Sequence, residues 1–223
     1  MLTLGLSLLI NTFSTRSDDI LEAIGEHLFL SLTAIVIAIA ISLPLGIFIS
    51  RKRKLAEFFI GITSVFQTIP SLAFFGFLIP IFGTGSVTAI TALTIYALLP
   101  ILRNTYTGII SVDSGVIEAG RGMGMTEKQI LTKIELPLSL PFVMAGIRTA
   151  TVLTVGVATL ATFVGAGGLG EIIYRGLSTW NNQLVMAGAI PSALLAILFD
   201  FILKRIENSA TPKGLRKTRG EIQ

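Results

Sequence analysis

The chain has 223 residues, 52% of them hydrophobic and only 13% charged, with a formal net charge of +4 and a pI near 9.6. Soluble proteins carry roughly 25% charged residues, so there are too few charges here to cover a water-facing surface. Nor does the basic balance indicate nucleic-acid binding, because the charges sit in blocks between apolar runs, where membrane topology places them. The absence of cysteine removes disulfides and thiolate chemistry.

Residues 1–27 read as an N-terminal extracytoplasmic or interfacial segment. Met1 to Phe13 is mildly apolar but lacks a basic leader region and a cleavage site, so a short interfacial helix is expected rather than a removed signal peptide. His27, the only histidine, has no ligand-spaced acidic cluster beside it and reads as structural.

Residues 28–203 form the expected transmembrane domain, with five segments able to span a bilayer. The first, Leu28 to Ile49, has no charge and makes about 33 Å of helix. The basic run Arg51-Lys52-Arg53-Lys54 follows it. The second, about Phe58 to Phe82, is interrupted by Gln67-Thr68-Ile69-Pro70-Ser71. Two readings stand for that run. Gln67, Thr68, Pro70 and Ser71 either line a polar translocation path for a small solute, or form a proline kink whose polar side chains satisfy local carbonyls. The third span runs from about Ser86 to Leu102.

The loop 103–137 carries the pattern E-A-(small)-x₃-G-x₉-I-x-L-P, in Glu118, Ala119, Gly120, Gly124, Ile134, Leu136 and Pro137. Its local logic is that of two short helices set in an L. Asp113 or Ser114 caps a helix from about Gly115 to Met123, and Gly124 ends it in the left-handed conformation. Thr126-x-x-Gln129 has capping-box form and opens a second helix, which Pro137 is expected to stop at the next membrane entry.

The fourth span, about Leu138 to Val164, carries Arg148 in its first half. Gly165-Ala166-Gly167-Gly168-Leu169-Gly170 formally fits G-x-G-x-x-G, but it follows a membrane helix instead of a strand, so a turn and close packing are expected rather than a dinucleotide site. Glu171 to Leu177 reads as a short surface helix. Tyr174 and Trp180 fit either an interfacial aromatic anchor or a contact with an external delivery protein. The fifth span runs from about Leu184 to Leu203, with Asp200 near its end and a basic cytoplasmic tail, 204–223, behind it.

Counting Arg148 with the nearer interface, 15 of the 17 Lys and Arg residues fall on one side, leaving only Arg16 and Arg175 on the other. The positive-inside rule then predicts an outside N-terminus and an inside C-terminus. The expected fold is all-α and integral to the membrane, with about five transmembrane helices. The chain has no P-loop, no nucleophile–base pair and no metal cluster, and the span centres lack Asp, Glu, Lys and His. No catalytic residue and no metal site are therefore assigned, and a proton- or ion-coupled carrier is disfavoured.

The Glu118–Pro137 pattern resembles the cytoplasmic coupling loop of the membrane subunits of bacterial ATP-binding-cassette (ABC) importers, with Gly120 where alanine is usual. Together with Glu26 to Leu32, Pro44-Leu45-Gly46, Gln67 to Ala73 and Val164 to Glu171, it is similar to the permease subunits of osmoprotectant importers. That resemblance implies the type I importer permease fold in a bacterial cell membrane. It also implies import of glycine betaine, carnitine or choline by alternating access. The implied partners are two cytoplasmic ATP-binding subunits holding ATP and Mg, a second permease copy or paralogue, an extracytoplasmic solute-binding protein and the lipid bilayer. Nucleic acid is not among them. A methionine-type or other small-solute permease is the alternative within the superfamily. An ATP-independent channel or carrier, or a membrane scaffold, is the alternative outside it.

Overall fold

The computed structural model describes residues 11–210. The expected basic tail from residue 211 onward and most of the expected N-terminal helix lie outside that range. Among the described residues the regular structure is helical: α1 (Ser17–Ile49), α2 (Arg53–Thr68), α3 (Ser71–Phe82), α4 (Ser86–Ile110), α5 (Ser114–Gly122), α6 (Glu127–Ile130), a π turn (Leu131–Glu135), α7 (Leu136–Ala158), a 3₁₀ segment (Thr159–Val164), α8 (Leu169–Ser178) and α9 (Asn182–Ala210).

Helix directions follow from register. Thr94 Oγ1 donates to Ala34 O at 3.4 Å, Ser42 Oγ donates to Leu98 O at 3.2 Å, and Gly46 lies against Thr105. Residue numbers rise together along both helices, so α1 and α4 run parallel. The chain leaving α1 must therefore recross before α4 starts. The α2–α3 pair makes that return although neither helix is long enough alone, with 16 and 12 residues and a 103° bend between them. Its contacts run backwards along α4, from Arg103 with Ser64 to Tyr96 with Gln67 and Ile69. Gly108 against Ser139, then Asn104 against Gly146, sets α7 antiparallel to α4, and α9 returns antiparallel to α7, bringing Asp200 and Glu207 to Arg148. Among the described residues the result is four long apolar helices and one bent pair, up to five crossings.

Helix ends differ from the expected span ends. The helix holding the first span starts at Ser17, before the apolar run opens at Leu28, and Ile20 and Ala23 are buried against Leu169, Ile172 and Leu184 of α8 and α9. α4 runs past Leu102 to Ile110, and α9 past Leu203 to Ala210, into the expected tail. The interruption expected in the second span is a bend of 103°. The reason lies in the sequence: Pro70 has no N–H to donate and disfavours a helical residue before it, and Ile69 accordingly adopts extended backbone at φ −72°, ψ 129°.

The charges separate to the two ends. Arg51 to Lys54, the 103–137 loop, Lys204 and Arg205 mark a basic end, while Asp18, Asp19, Glu22, Glu26 and Glu171 gather at the opposite, acidic end. Between the ends, helices approach through small residues, the packing mode of membrane helices, where lipid offers no hydrophobic drive to associate. A Cβ on Gly46 would sit 2.7 Å from Thr105 Cγ2 and 2.8 Å from its Cβ, in a fully buried part of the α1–α4 seam. Overpacking of this kind costs about 1–3 kcal/mol. Gly46→Ala is expected to lower the thermal midpoint of the detergent-solubilised permease. Gly61→Ala, with nothing within 4 Å, should leave it unchanged or raise it, since alanine favours helix by up to about 1 kcal/mol over glycine.

Candidate functional site

The 103–137 loop forms the best-defined surface feature at the basic end. Asp113 caps α5, its Oδ1 accepting the Val116 N–H at 3.2 Å. The helix closes at Gly124, at φ +77°, where a left-handed residue lets Met125 N–H reach Gly120 O at 3.1 Å. Thr126 then caps α6 through both halves of a capping box, Gln129 N–H to Thr126 Oγ1 at 3.3 Å and Thr126 N–H to Gln129 Oε1 at 2.8 Å. Arg121 pairs with Glu127 across the corner at 3.0 Å.

Gly120 is the one buried residue of α5. It rests against Ile134 and Met125, and a Cβ there would meet Ile134 Cδ1 at 2.8 Å. Ile130, fully buried, completes the seat. Glu118 and Ala119 face outward, and the exposed Val116 and Met123 add apolar surface to the same short helix. The arrangement is a small helix with a polar and apolar outer face, held on the root of a long transmembrane helix.

Pro137 does not stop the second helix. The chain runs on from Glu127 through the π turn and α7 to Val164. In a regular helix a proline ring clashes with the carbonyl four residues earlier. The wider π turn, in which Leu136 N–H bonds Leu131 O, moves that carbonyl aside and leaves Pro137 in the first turn of α7, where proline is tolerated. Ile134 and Leu136 thus belong to a continuous shaft, not to the end of a surface helix.

Glu135 was not a candidate from sequence, yet it is the most buried charge in this region, 2% exposed. Arg51, just past α1, donates from both guanidinium nitrogens to its two carboxylate oxygens, one bond at 2.8 Å and the other from Nη2 to Oε2. Sequence carries only a faint signal for this pair: an acid inside an otherwise apolar I-E-L-P run needs a partner.

The Gln67–Ser71 run falls at the bend of the broken span. Tyr96 Oη donates to Ile69 O at 2.7 Å and covers a carbonyl opened by the bend, while Gln67 Nε2 donates at 2.9 Å to Tyr96 O, an α4 carbonyl that Pro100 cannot bond. Thr68 donates to Val65 O within its own helix at 2.7 Å. Thr68 and Pro70 are exposed and Ser71 is half-buried. Gln67 is therefore taken up by the link to α4, while Thr68, Pro70 and Ser71 remain on an open face.

At the acidic end the glycine run carries positive φ at Gly165, Gly167 and Gly168. The Glu26 carboxylate accepts the Gly168 N–H at 2.7 Å, occupying the helix N-terminus that a phosphate would need. His27 is fully buried and donates from Nε2 to Val155 O at 3.0 Å. Tyr174 stacks edge-on against Phe163, while Trp180 stands 94% exposed at φ +55° in the turn before α9. Arg148, expected to reach for the interface, lies 3.6 Å from Asp200 and 3.7 Å from Glu207.

The sequence matches the family described as binding-protein-dependent transport system inner membrane component over residues 38–211. It is 46% identical over 211 residues to the carnitine transport permease protein OpuCB of Listeria monocytogenes, covering 95% of this chain and 97% of that protein. It is 46% identical over 202 residues to the glycine betaine/carnitine/choline transport system permease protein OpuCB of Bacillus subtilis, covering 91% and 93%. The fold is similar to a chain of the inward-facing MetNI methionine ABC transporter, with a TM-score of 0.79 and 26% identity, covering 89% of this chain and 99% of that one.

The packing of Gly120 yields a direct expectation. The atom nearest an added methyl is the free end of the Ile134 side chain, which can turn away. Gly120→Ala should keep or slightly raise the thermal midpoint, through up to about 1 kcal/mol of helix propensity. Gly120→Leu, which cannot fit between Ile134 and Ile130, should release α5 and expose Arg121 to trypsin at concentrations that leave the parent chain intact.

Proposed function

Because the chain belongs to the family of binding-protein-dependent transport system inner membrane components, we propose that it forms one half of an ATP-driven import channel for quaternary ammonium osmolytes. It is a permease subunit of a type I ABC importer and a multi-pass membrane protein. The finer reading concerns the cargo and the coupling. Its main support is the 46% identity, over nearly the whole chain, to permeases named for carnitine, glycine betaine and choline. The likeness to the methionine transporter is weaker in sequence, 26%, and lies in the fold.

In this reading the 103–137 loop is the cytoplasmic handle. An ATP-binding subunit docks on Val116, Glu118, Ala119 and Met123, and ATP and Mg sit in that partner. Closing of two such partners draws two permeases together, and α5 pushes on α6, the π turn and α7 through Gly120 and Ile134. The spans then open alternately to an external solute-binding protein and to the cell interior. Thr68, Pro70 and Ser71, on the open side of the bend, are the proposed path residues. Gln67 supports them through Tyr96. A compact zwitterion or a cation with a buried ammonium centre suits a path with hydroxyl dipoles and no fixed charge, because a fixed charge at depth would hold the solute or demand a counter-ion.

Uptake of labelled glycine betaine, carnitine, choline and methionine should be compared in cells with and without the gene, at high and low salt. Loss of one or more osmolytes with methionine unchanged is the expected outcome. Loss of methionine alone would move the chain to the methionine-type branch.

The orientation has its own test. Single cysteines replacing Ser17 and Lys128, both exposed, are clean probes in a chain without cysteine. An impermeant thiol reagent applied to intact cells should label the first and spare the second. Equal labelling would contradict a cytoplasmic basic end.

A further inference from the structure

We propose that Arg51 and Glu135 are positioning residues that carry movement of the 103–137 loop into α1, so that α1 and α7 move as one rigid lever. The proposal rests on the reading of that loop as the handle for an ATP-binding subunit. The observations beneath it are independent of that reading. α1 and α7 are antiparallel and are joined by a side-chain link at each end. At the acidic end, His27 of α1 donates to the Val155 carbonyl of α7 at 3.0 Å. At the basic end, Arg51, past the end of α1, grips Glu135 at the root of α7 with both nitrogens. Between the two links both helices pack against α4.

The position of Glu135 makes the second link mechanical. It closes the π turn between α6 and α7. A π turn holds one residue more than the regular helix needs and is often found at functional sites. It is the place where the shaft can bend if nothing braces it. With the bidentate pair in place, a push from α5 on Ile134 is delivered to α1 as well as to α7. Without it, the π turn absorbs the push. Of the four basic residues after α1, Lys52 lies over the Phe48 ring at 5.5 Å and Arg53 pairs with the exposed Glu57. Arg51 is the residue of this run whose partner is buried, since the Glu135 side chain is 3% exposed. A planar guanidinium fixes a carboxylate in angle as well as distance, which a lysine cannot do.

The test uses the complete transporter, reconstituted with its ATP-binding subunits and solute-binding protein. Glu135→Gln and Arg51→Gln should still co-purify with the ATP-binding subunits and keep basal ATP hydrolysis. Solute imported per ATP hydrolysed should fall by about tenfold, within the usual range of coupling energies. The exchange Arg51→Glu with Glu135→Arg should recover most of that ratio. Arg51→Lys should not. An unchanged ratio in both single variants would overturn the proposal, and so would single variants that accumulate normally but gain nothing from the exchange. A second arm covers poor folding of the single variants. Cysteines at Arg51 and Glu135, bridged by a bifunctional thiol reagent of matching length, should restore transport that is low before bridging. Transport that is high before bridging and stops after it would mean the pair must open in the cycle, and the lever would be wrong. Glu118→Lys is the comparator for the underlying reading. It should abolish co-purification, and if it does not, the handle assignment fails whatever the Arg51 and Glu135 variants do.

Discussion

Inside a bilayer no water is present to satisfy a backbone N–H or C=O, and each group left bare costs several kcal/mol. This one constraint governs most of what is unusual in the molecule. A break such as the one at Pro70 is tolerable only where neighbouring groups take over the lost bonds. Here α4 and the bend serve each other: the Tyr96 hydroxyl covers Ile69 O at the bend, and the Gln67 side chain covers Tyr96 O, which Pro100 leaves without its helical partner. The aromatic cluster of Phe66, Phe74 and Tyr96 then packs around the corner. The bend is a fixed feature for the same reason, because straightening it would strip Tyr96 of both partners. A fixed bend leaves one flank of the span open, and that flank carries Thr68, Pro70 and Ser71.

The second consequence is that cohesion must come from fit and from a few polar links, because lipid is as apolar as the side chains it replaces. Close approach at Gly46, Gly108 and Gly146 brings α4 near both α1 and α7. The polar links then act less as stabilisers than as locators. A buried ion pair gains little net stability, since desolvation offsets much of the attraction, but removing one partner strands a charge at a cost of about 3–5 kcal/mol. For Arg51 and Glu135 that figure is an upper bound, because the Arg51 side chain is 42% exposed and can be rehydrated. What the pair fixes firmly is register: the end of α1 can meet the root of α7 in one way only.

Local signals were the legible part of the sequence. The Asp113 cap, the left-handed Gly124 and the Thr126–Gln129 box each depend on residues within three or four positions, and each is present as expected. The spans beginning at Ser86 and ending at Val164 were legible for the same reason, as apolar runs bounded by glycine. What escaped the sequence is tertiary. Pro137 alone reads as a stop, and only the adjoining π turn makes it an entry. The start of α1 at Ser17 depends on Ile20 and Ala23 burying against α8 and α9, which no single segment announces. The Gln67 run leaves two readings open from sequence because a polar side chain at a kink serves either. The structure divides the run, giving Gln67 to the backbone and leaving Thr68 and Ser71 at the open face. Arg51 is the sharpest case. In a run of four basic residues, topology explains all four equally, and only the burial of Glu135 singles one out.

The distribution of tight and loose links suggests where the fold can yield. α1 is held to α7 at both ends, and α4 is wedged between them by glycine contacts. That set behaves as a block. The broken span attaches to this block more lightly. The α2–α3 pair meets α4 at the Gln67–Tyr96 corner and through an exposed Arg103–Ser64 bond at 3.0 Å. Packed cores rearrange between discrete arrangements and do not deform smoothly. On the proposed reading, a displacement entering at α5 would leave the block intact and be taken up at its margin. That margin is the bent pair, which moves as a unit beside Thr68 and Ser71, the residues proposed above to line the path.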